Sequence, residues 1–254
     1  MTFSMNAFFA AERIKWRKSW LFVTVLLAPL CQIAFLAVIF WFSESRLRLM
    51  RPGFQTWVEM NSVAWNLVVM PLVTGLVCEL SWEQEREARA WNLLLIQPTP
   101  RHTHYLVKVL SHLTLLMLAT ALFALALLLG GFILQRKPSL LMEDLPLPLF
   151  LRFMGYSALA LVPVVAFHTW LSMRIPGLWI GLTAAIAGSW FTQRLVGASV
   201  LVQLLPWGLA AHMSIMFERW RVLPWAYVPG GLLAAGVLVA LGVFDFSRYR
   251  ESRS

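Results

Sequence analysis

The sequence predicts an all-α integral membrane protein, a bundle of six transmembrane helices, and three observations support this. Hydrophobic residues fill 59% of the 254 positions and charged residues only 13%, about half the charged share of an average soluble domain. The apolar residues lie in runs of about twenty, the length that an α-helix needs to cross a bilayer. They do not alternate with polar residues, as the strands of an outer-membrane barrel do.

The first segment, 1–19, predicts a helix that lies at the membrane interface. Apolar residues recur at helical spacing between Phe3 and Ile14, and a basic side accompanies them. The next run, 20–42, is too long for the apolar part of a cleaved signal peptide and no small-x-small site follows it. We therefore expect it to be a permanent span. The basic side comprises Arg13, Lys15, Arg17 and Lys18.

Six apolar runs predict the spans, and short charged or proline-containing connections separate them. The fifth run is the shortest, because Leu178 to Phe191 rises only about 21 Å against a core of about 30 Å. After it, the segment 195–224 is interrupted by Pro206 and Gly208, which is typical of an external re-entrant or surface-lying stretch covered by protein. The predicted spans are 20–42, 57–80, 109–134, 150–173, 176–194 and 227–246.

The formal charge of +9 indicates a membrane topology rather than a nucleic-acid partner, because the basic residues cluster between apolar runs. Six spans put both termini on one side. Twelve of the 21 Lys and Arg residues then lie on the side of the termini. That excess, together with the dense basic cluster before the first span, predicts that both termini are cytoplasmic.

The chain shows no catalytic or energy-converting motif. It lacks a G-x-x-x-x-G-K-[ST] loop for nucleotide phosphates, so any ATPase must be another polypeptide. Proton coupling would use ionisable groups inside the spans, and the candidates are few. Three of them lie near span ends, where we expect solvated side chains, and His168 is expected to be a hydrogen-bonded packing residue. The other candidates are Glu79, His112 and Asp245.

Neither a metal site nor a cofactor site is expected in this chain. The pair His102 and His104 has no carboxylate or thiol partner nearby in the sequence. An intramembrane serine hydrolase stays a minor alternative, because Gly197-Ala198-Ser199 and Ala211-His212 resemble pieces of the rhomboid proteases. A nucleophile and its base must meet at hydrogen-bond distance, and no full span separates these two segments here.

The segment that follows the second predicted span is the most strongly charged part of the chain. Glu79, Glu83 and Glu87 recur every four residues and share a helix face, and Glu85 precedes Arg89 at the spacing of a helical ion pair. An apolar stripe and a helix stop follow. Two interpretations stay open on these residues alone: a solvated helix end, or a docking element for a cytoplasmic partner. The stripe and stop comprise Trp91, Leu94, Leu95, Pro98 and Pro100.

This segment resembles the cytoplasmic loop of class-two ABC exporter permeases, most closely the permease subunits of lantibiotic-immunity and bacitracin-type exporters. The chain departs from the commoner pattern at Ala88 and Arg89, where a glycine is frequent. The length, the basic N-terminal segment and the six-span layout also match. The resemblance is carried by Glu83, Glu85, Arg86, Trp91, Leu94, Leu95, Pro98 and Arg101.

The resemblance implies a permease subunit that pairs with an identical or related second permease and with two separate ATPase subunits, which bind ATP and Mg²⁺. It implies export of a peptide antibiotic, drug or lipid-like molecule across a bacterial cytoplasmic membrane. The loop would hold the coupling helix, with a minor second contact at 174–177. The residues assigned to coupling are Glu79, Glu83, Glu85, Arg86, Glu87, Arg89, Trp91, Leu94, Leu95, Pro98 and Arg101.

Two other classes of protein remain as alternatives. A membrane scaffold would anchor a complex without transport and would show no dependence on ATP. A hydrolase would lose its function when Ser199 or His212 alone is changed. A permease, by contrast, needs an ATPase partner and depends on the charged loop.

Overall fold

The structure is a computed structural model, and it describes residues 5–17, 19–42, 53–88, 100–136, 147–196, 200–213 and 225–248. Within these ranges every regular element is helical, which confirms the predicted all-α bundle. A helix α1 (Met5–Arg17) precedes six longer helices. These are α2 (Trp20–Phe42), α3 (Phe54–Glu87), α4 (Arg101–Gln135), α5 (Leu147–Arg174), α6 (Leu178–Leu195) and α7 (Val228–Arg248).

Five of the described helices, α2 to α5 and α7, are long and apolar enough to cross a membrane. The sixth, α6, has 18 residues and rises about 27 Å, slightly less than the hydrocarbon core. Its crossing therefore remains a prediction. The helix runs antiparallel to α3, because Gly181 near its start contacts Gly75, whereas Gln193 near its end shares a groove with Leu67.

One turn of α3, Trp65–Val69, is π-helical, and the amide of Met70 donates to the carbonyl of Trp65, five residues earlier. Pro71 explains the wider turn. Proline has no N–H to offer the carbonyl of Leu67, and its ring crowds that carbonyl. The indole of Trp65 stacks on Phe123, with ring centroids 4.6 Å apart.

Polar side chains inside the bundle are used to join the helices. Gln32 Nε2 of α2 donates to the carbonyl of Asn61 at 2.8 Å, and Asn66 Nδ2 donates to Ser157 Oγ of α5 at 2.8 Å. The indole nitrogen of Trp57 donates to the carbonyl of Leu127 in α4, also at 2.8 Å. Such bonds satisfy groups that are costly to bury unpaired in an apolar interior.

Small residues bring α6 close to α3. The buried face of α6 consists of Gly181, Ala185, Ser189 and Thr192. A Cβ atom on Gly75 of α3 would lie 2.8 Å from the carbonyl oxygen of Gly181, so the two backbones are in direct contact. Glycines permit this close approach in membrane helices, where close packing replaces the hydrophobic driving force.

The irregular stretch before α7 is packed into the bundle. A 3₁₀ turn, Val200–Leu204, leads to a short helix over residues 208–213. Tyr156 Oη donates to the carbonyl of Leu209 at 3.1 Å, and the ring of Trp207 meets that of His168 edge-on at 5.8 Å. Protein thus covers this described part of the segment, and the predicted external, re-entrant course of 195–224 remains a prediction. Residues 197–199 and 214–224 lie outside the described part of the chain.

The contact between α3 and α6 predicts a sharp difference between two Gly→Ala substitutions. Gly75→Ala forces a methyl group against the backbone of Gly181 and should destabilise the protein by about 1–3 kcal/mol. Gly236→Ala is the matched control, because a Cβ there meets no atom within 4 Å and alanine favours helix. Thermal unfolding of both variants in detergent should lower Tm only for Gly75→Ala; equal Tm values would refute the contact.

Candidate coupling site at the charged end of the bundle

The end of α3 carries five of the eleven predicted coupling residues, and the structure divides its four glutamates into two groups. Glu83 and Glu87 are exposed, whereas Glu79 and Glu85 are buried, with 1% and 5% of their surface accessible. The helix runs on past the predicted end of the span at 80, so its last turns pack against α1, α4 and α5. Buried carboxylates need partners, and both have them.

Glu85 belongs to a cluster of two carboxylates and two ammonium groups, which we call the four-charge cluster: Glu12, Lys15, Glu85 and Lys108. Glu85 Oε1 lies 2.7 Å from the Nζ atoms of both lysines. Glu12 of α1 completes the ring, with Lys15 Nζ at 2.6 Å and Lys108 Nζ at 3.1 Å. The cluster joins α1, the end of α3 and the beginning of α4.

The four-charge cluster is electrically balanced and mostly shielded from water. Lys108 has 4% of its side chain accessible, and its ammonium group lies 5.3 Å from the ring centroid of Trp82. Burial by itself raises the pKa of Glu12, but the adjacent Lys108 and Lys15 outweigh this and lower it. Burial lowers the pKa of Lys15, but Glu85 and Glu12 outweigh this and raise it. The charged forms of Glu12 and Lys15 are thus stabilised by their neighbours.

Glu79 forms a second link, from α3 to the connection between α5 and α6. Its Oε1 atom pairs with the guanidinium of Arg86 and accepts a hydrogen bond of 2.9 Å from the amide of Gly177. A carboxylate at the N-terminus of a helix is stabilised by the free amides there. Gly177 has φ +141°, a conformation that favours glycine. Arg86 Nη1 also donates to the carbonyl of Ser172 at 3.1 Å.

Further bonds attach α7 to the same end of the bundle. Asp245 Oδ2 lies 2.5 Å from Arg174 Nε of α5 and accepts a bond of 3.2 Å from the indole of Trp170. Arg101, a predicted coupling residue, donates to the carbonyl of Ser247 at 3.1 Å. Side-chain hydrogen bonds or ion pairs that involve charged groups thus join α1, α3, α4, α5, α7 and the start of α6 at this end.

Two expectations about the buried ionisable groups were wrong. Glu79 and His112 were expected to be solvated helix ends, but 1% and 0% of their surface is accessible. The reason is that α3 and α4 both extend beyond the predicted spans, so His112 lies about three turns inside α4. Its Nδ1 atom is 2.9 Å from Thr169 Oγ1 and 3.5 Å from Cys78 Sγ.

His168 packs as expected but lacks the expected hydrogen bond. It is fully buried, and neither ring nitrogen has a hydrogen-bond partner among the residues that the structure describes. For the hydrolase alternative, His212 Nδ1 lies 2.8 Å from the carbonyl of Gly208, and its ring packs on Tyr227. Ser199 lies outside the described residues.

Several predicted coupling residues are not part of the described structure, and their role remains a prediction. The predicted helical ion pair of Glu85 with Arg89 also remains a prediction, because Arg89 lies outside the described residues. The described partners of Glu85 are Lys15 and Lys108 instead. The coupling residues outside the described ranges are Arg89, Trp91, Leu94, Leu95 and Pro98.

Sequence reasoning missed the partners that lie far apart in the chain. It placed Lys15 on the basic side of the interfacial helix and gave Glu12 and Lys108 no role in binding. Two signals were present. Glu12 is the one acidic residue of an otherwise basic segment, and Lys108 stands beside an apolar run, where a charge needs a partner.

Comparison with protein families identifies the class. Residues 8–188, more than two thirds of the chain, match the family model described as ABC-2 family transporter protein. The chain therefore belongs to the ABC-2 transporter family, and it is a multi-pass membrane permease subunit of an ABC transporter that works with an ABC ATPase subunit. No curated protein matches the sequence.

The four-charge cluster predicts that its two lysines contribute unequally to stability. Lys108→Met leaves two buried carboxylates short of a cation and should cost about 3–5 kcal/mol. Lys15→Met removes a side chain that is 38% accessible and leaves Lys108 in place, so its cost should be smaller. Thermal unfolding of the full chain in detergent measures both; the opposite order would contradict a cluster centred on Lys108.

The lowered pKa of Glu12 predicts how stability depends on pH. The ionised carboxylate stabilises the fold above its ordinary pKa of 4.5, and this contribution is lost as pH falls through the lowered folded value. Wild type should therefore exceed Glu12→Gln in Tm at pH 7, and the difference should shrink below pH 4.5. A difference in Tm that is constant from pH 7 to pH 3.5 would show that Glu12 is not ion-paired.

Proposed function

We propose that this permease is the membrane half of an exporter in a bacterial cytoplasmic membrane, with both termini cytoplasmic. In this proposal two ATPase subunits bind ATP and Mg²⁺, and a second permease, identical or related, completes the complex. The substrate is an amphipathic or hydrophobic molecule, such as a peptide antibiotic, a drug or a lipid-like compound. Resistance to such a compound is the expected role in the cell.

The four-charge cluster is the observation that carries the proposal. Glu85 stands just before the end of α3, and Lys108 stands two turns into α4, so their ion pair closes the base of the segment 88–100. A segment that is to transmit force must be attached firmly at its base, because a loose base absorbs the movement. This segment contains the Trp91, Leu94 and Leu95 stripe that we assign to the ATPase contact.

The attachments of the charged end suggest how movement would spread. A push on the segment 88–100 reaches α1 through Glu12 and Lys15, because the four-charge cluster holds α1 and α3 together. The same push reaches the start of α6 through Glu79 and Gly177. ATP-driven closure of the ATPases would thus shift the ends of several helices together and switch the permease between its inward- and outward-facing states.

The experiment is a mild-detergent pull-down of the tagged full chain from its native membrane, followed by an assay of ATP hydrolysis. We expect a stoichiometric P-loop ATPase to co-purify. Glu83→Ala and Trp91→Ala should each reduce its substrate-stimulated activity at least several-fold, because both side chains are assigned to the ATPase contact. Trp20→Ala is the matched control, since Trp20 is an exposed tryptophan at the start of α2 and should leave that activity unchanged.

Two other outcomes separate the alternatives. Full stimulated activity in both Glu83→Ala and Trp91→Ala would refute the docking assignment while leaving family membership intact. A clean preparation without an ATPase would favour a scaffold. The hydrolase alternative then requires loss of function in Ser199→Ala or His212→Ala.

A further inference from the structure

A groove between α3 and α6 lies on the side of the bundle away from the four-charge cluster. It has a volume of about 340 Å³, and the π-helical turn of α3 forms one wall through Leu67 and Val68. The opposite wall is the second half of α6. The volume is near the lower limit for small-molecule sites, which is enough for one flexible chain. The α6 wall comprises Ile186, Ser189, Trp190 and Gln193.

The lining of the groove changes from apolar to polar along its length. Its inner part, toward the crossing of Gly75 and Gly181, is lined by Leu72 and Ile186. Its outer part holds Ser189 and Gln193, about 12 and 18 Å further along α6 than Gly181. A molecule that fits this gradient has an apolar chain directed into the membrane and a polar group near the end of α6.

Two observations at the outer part point to a ligand with a hydrogen-bonding, anionic head. The hydroxyl of Ser189 is buried, with 6% of the residue accessible, and it has no hydrogen-bond partner among the described residues. The guanidinium of Arg194 lies 5.2 Å from the ring centroid of Trp190. A tryptophan and an arginine together at a helix end are typical of the head-group level of a bilayer, and arginine complements phosphate.

We propose that this groove binds one alkyl chain of a phospholipid, with the phosphate near Arg194 and a head-group oxygen near Ser189. The lipid comes from the leaflet opposite the four-charge cluster. Its chain fills the space that the wide turn of α3 opens beside α6. The binding is independent of the export that we propose above, so either can fail without the other.

The test uses the full chain in nanodiscs of phosphatidylethanolamine and phosphatidylglycerol. The probe is a lysophosphatidylglycerol that carries a diazirine on its alkyl chain, and intact-mass and peptide mass spectrometry follow irradiation. We expect saturable labelling of one probe per chain, on α3 and α6 peptides that contain the groove. Unlabelled lysophosphatidylglycerol should compete for it, because a site with a fixed volume holds one chain.

Variants distinguish the groove from lipid that coats the whole protein. Ile186→Trp places a larger side chain in the groove and should reduce the saturable labelling several-fold. Leu233→Trp is the matched control on α7, where the leucine is 67% accessible, and should leave labelling unchanged. Ser189→Ala should weaken the apparent affinity by about two- to tenfold, the range for one lost hydrogen bond.

The proposal is overturned by labelling that rises linearly with probe and resists competition, or by equal loss of labelling in Ile186→Trp and Leu233→Trp. Unchanged Tm values show that the variants are folded. If Ile186→Trp loses the labelling but keeps normal ATPase stimulation, the lipid site exists and is separate from coupling to the ATPase. Normal labelling in a chain that purifies without an ATPase would overturn the exporter and keep the lipid site.

Discussion

Lys108 places a full positive charge beside the apolar core of a membrane bundle, where only 4% of its side chain reaches water. A charge in such a place is tolerated only if oppositely charged partners replace the lost hydration. Glu12 and Glu85 provide this, and they come from two other helices. The position of α1 and the extension of α3 beyond its apolar part therefore both depend on the pairing of Lys108 with these carboxylates.

The organisation of the bundle depends largely on α3, because the first half, the middle and the end of this helix differ in structure and in what they contact. Its first half is widened at Trp65–Val69, its middle touches α6 through Gly75, and its end carries the charges that attach α1, α4 and the start of α6. Each property has a local cause in the sequence: Pro71, a glycine, and acidic residues at helical spacing. The helix α3 thus extends from the site assigned to coupling to the groove beside α6.

The amino-acid sequence is sufficient to predict the helical class and the approximate positions of the helices, because an apolar run of about twenty residues has few other structures open to it. It is insufficient to predict that the charged end of α3 and the charged start of α4 are buried. Charge in a sequence is typical of solvent exposure. Here the charges of Glu79, Glu85 and Lys108 are buried in pairs. The partners lie up to 96 positions apart, a distance at which no local pattern identifies them. The π-helical turn is also absent from the prediction, although Pro71 signals it.

Two contacts hold the first turns of α6 against α3. The amide of Gly177 is bonded to Glu79, and the backbone of Gly181 rests against Gly75. Beyond that contact about 18 Å of helix extends to Gln193. This second part of α6 also packs on the bundle, because Ser189 and Thr192 are buried and Gly188 lies against the ring of Trp207. A tilt of roughly ten degrees about the glycine contact moves Gln193 by about 3 Å, given the rise of about 1.5 Å per residue. A tilt of this kind would therefore also force the ring of Trp207 to repack, because that ring lies against Gly188.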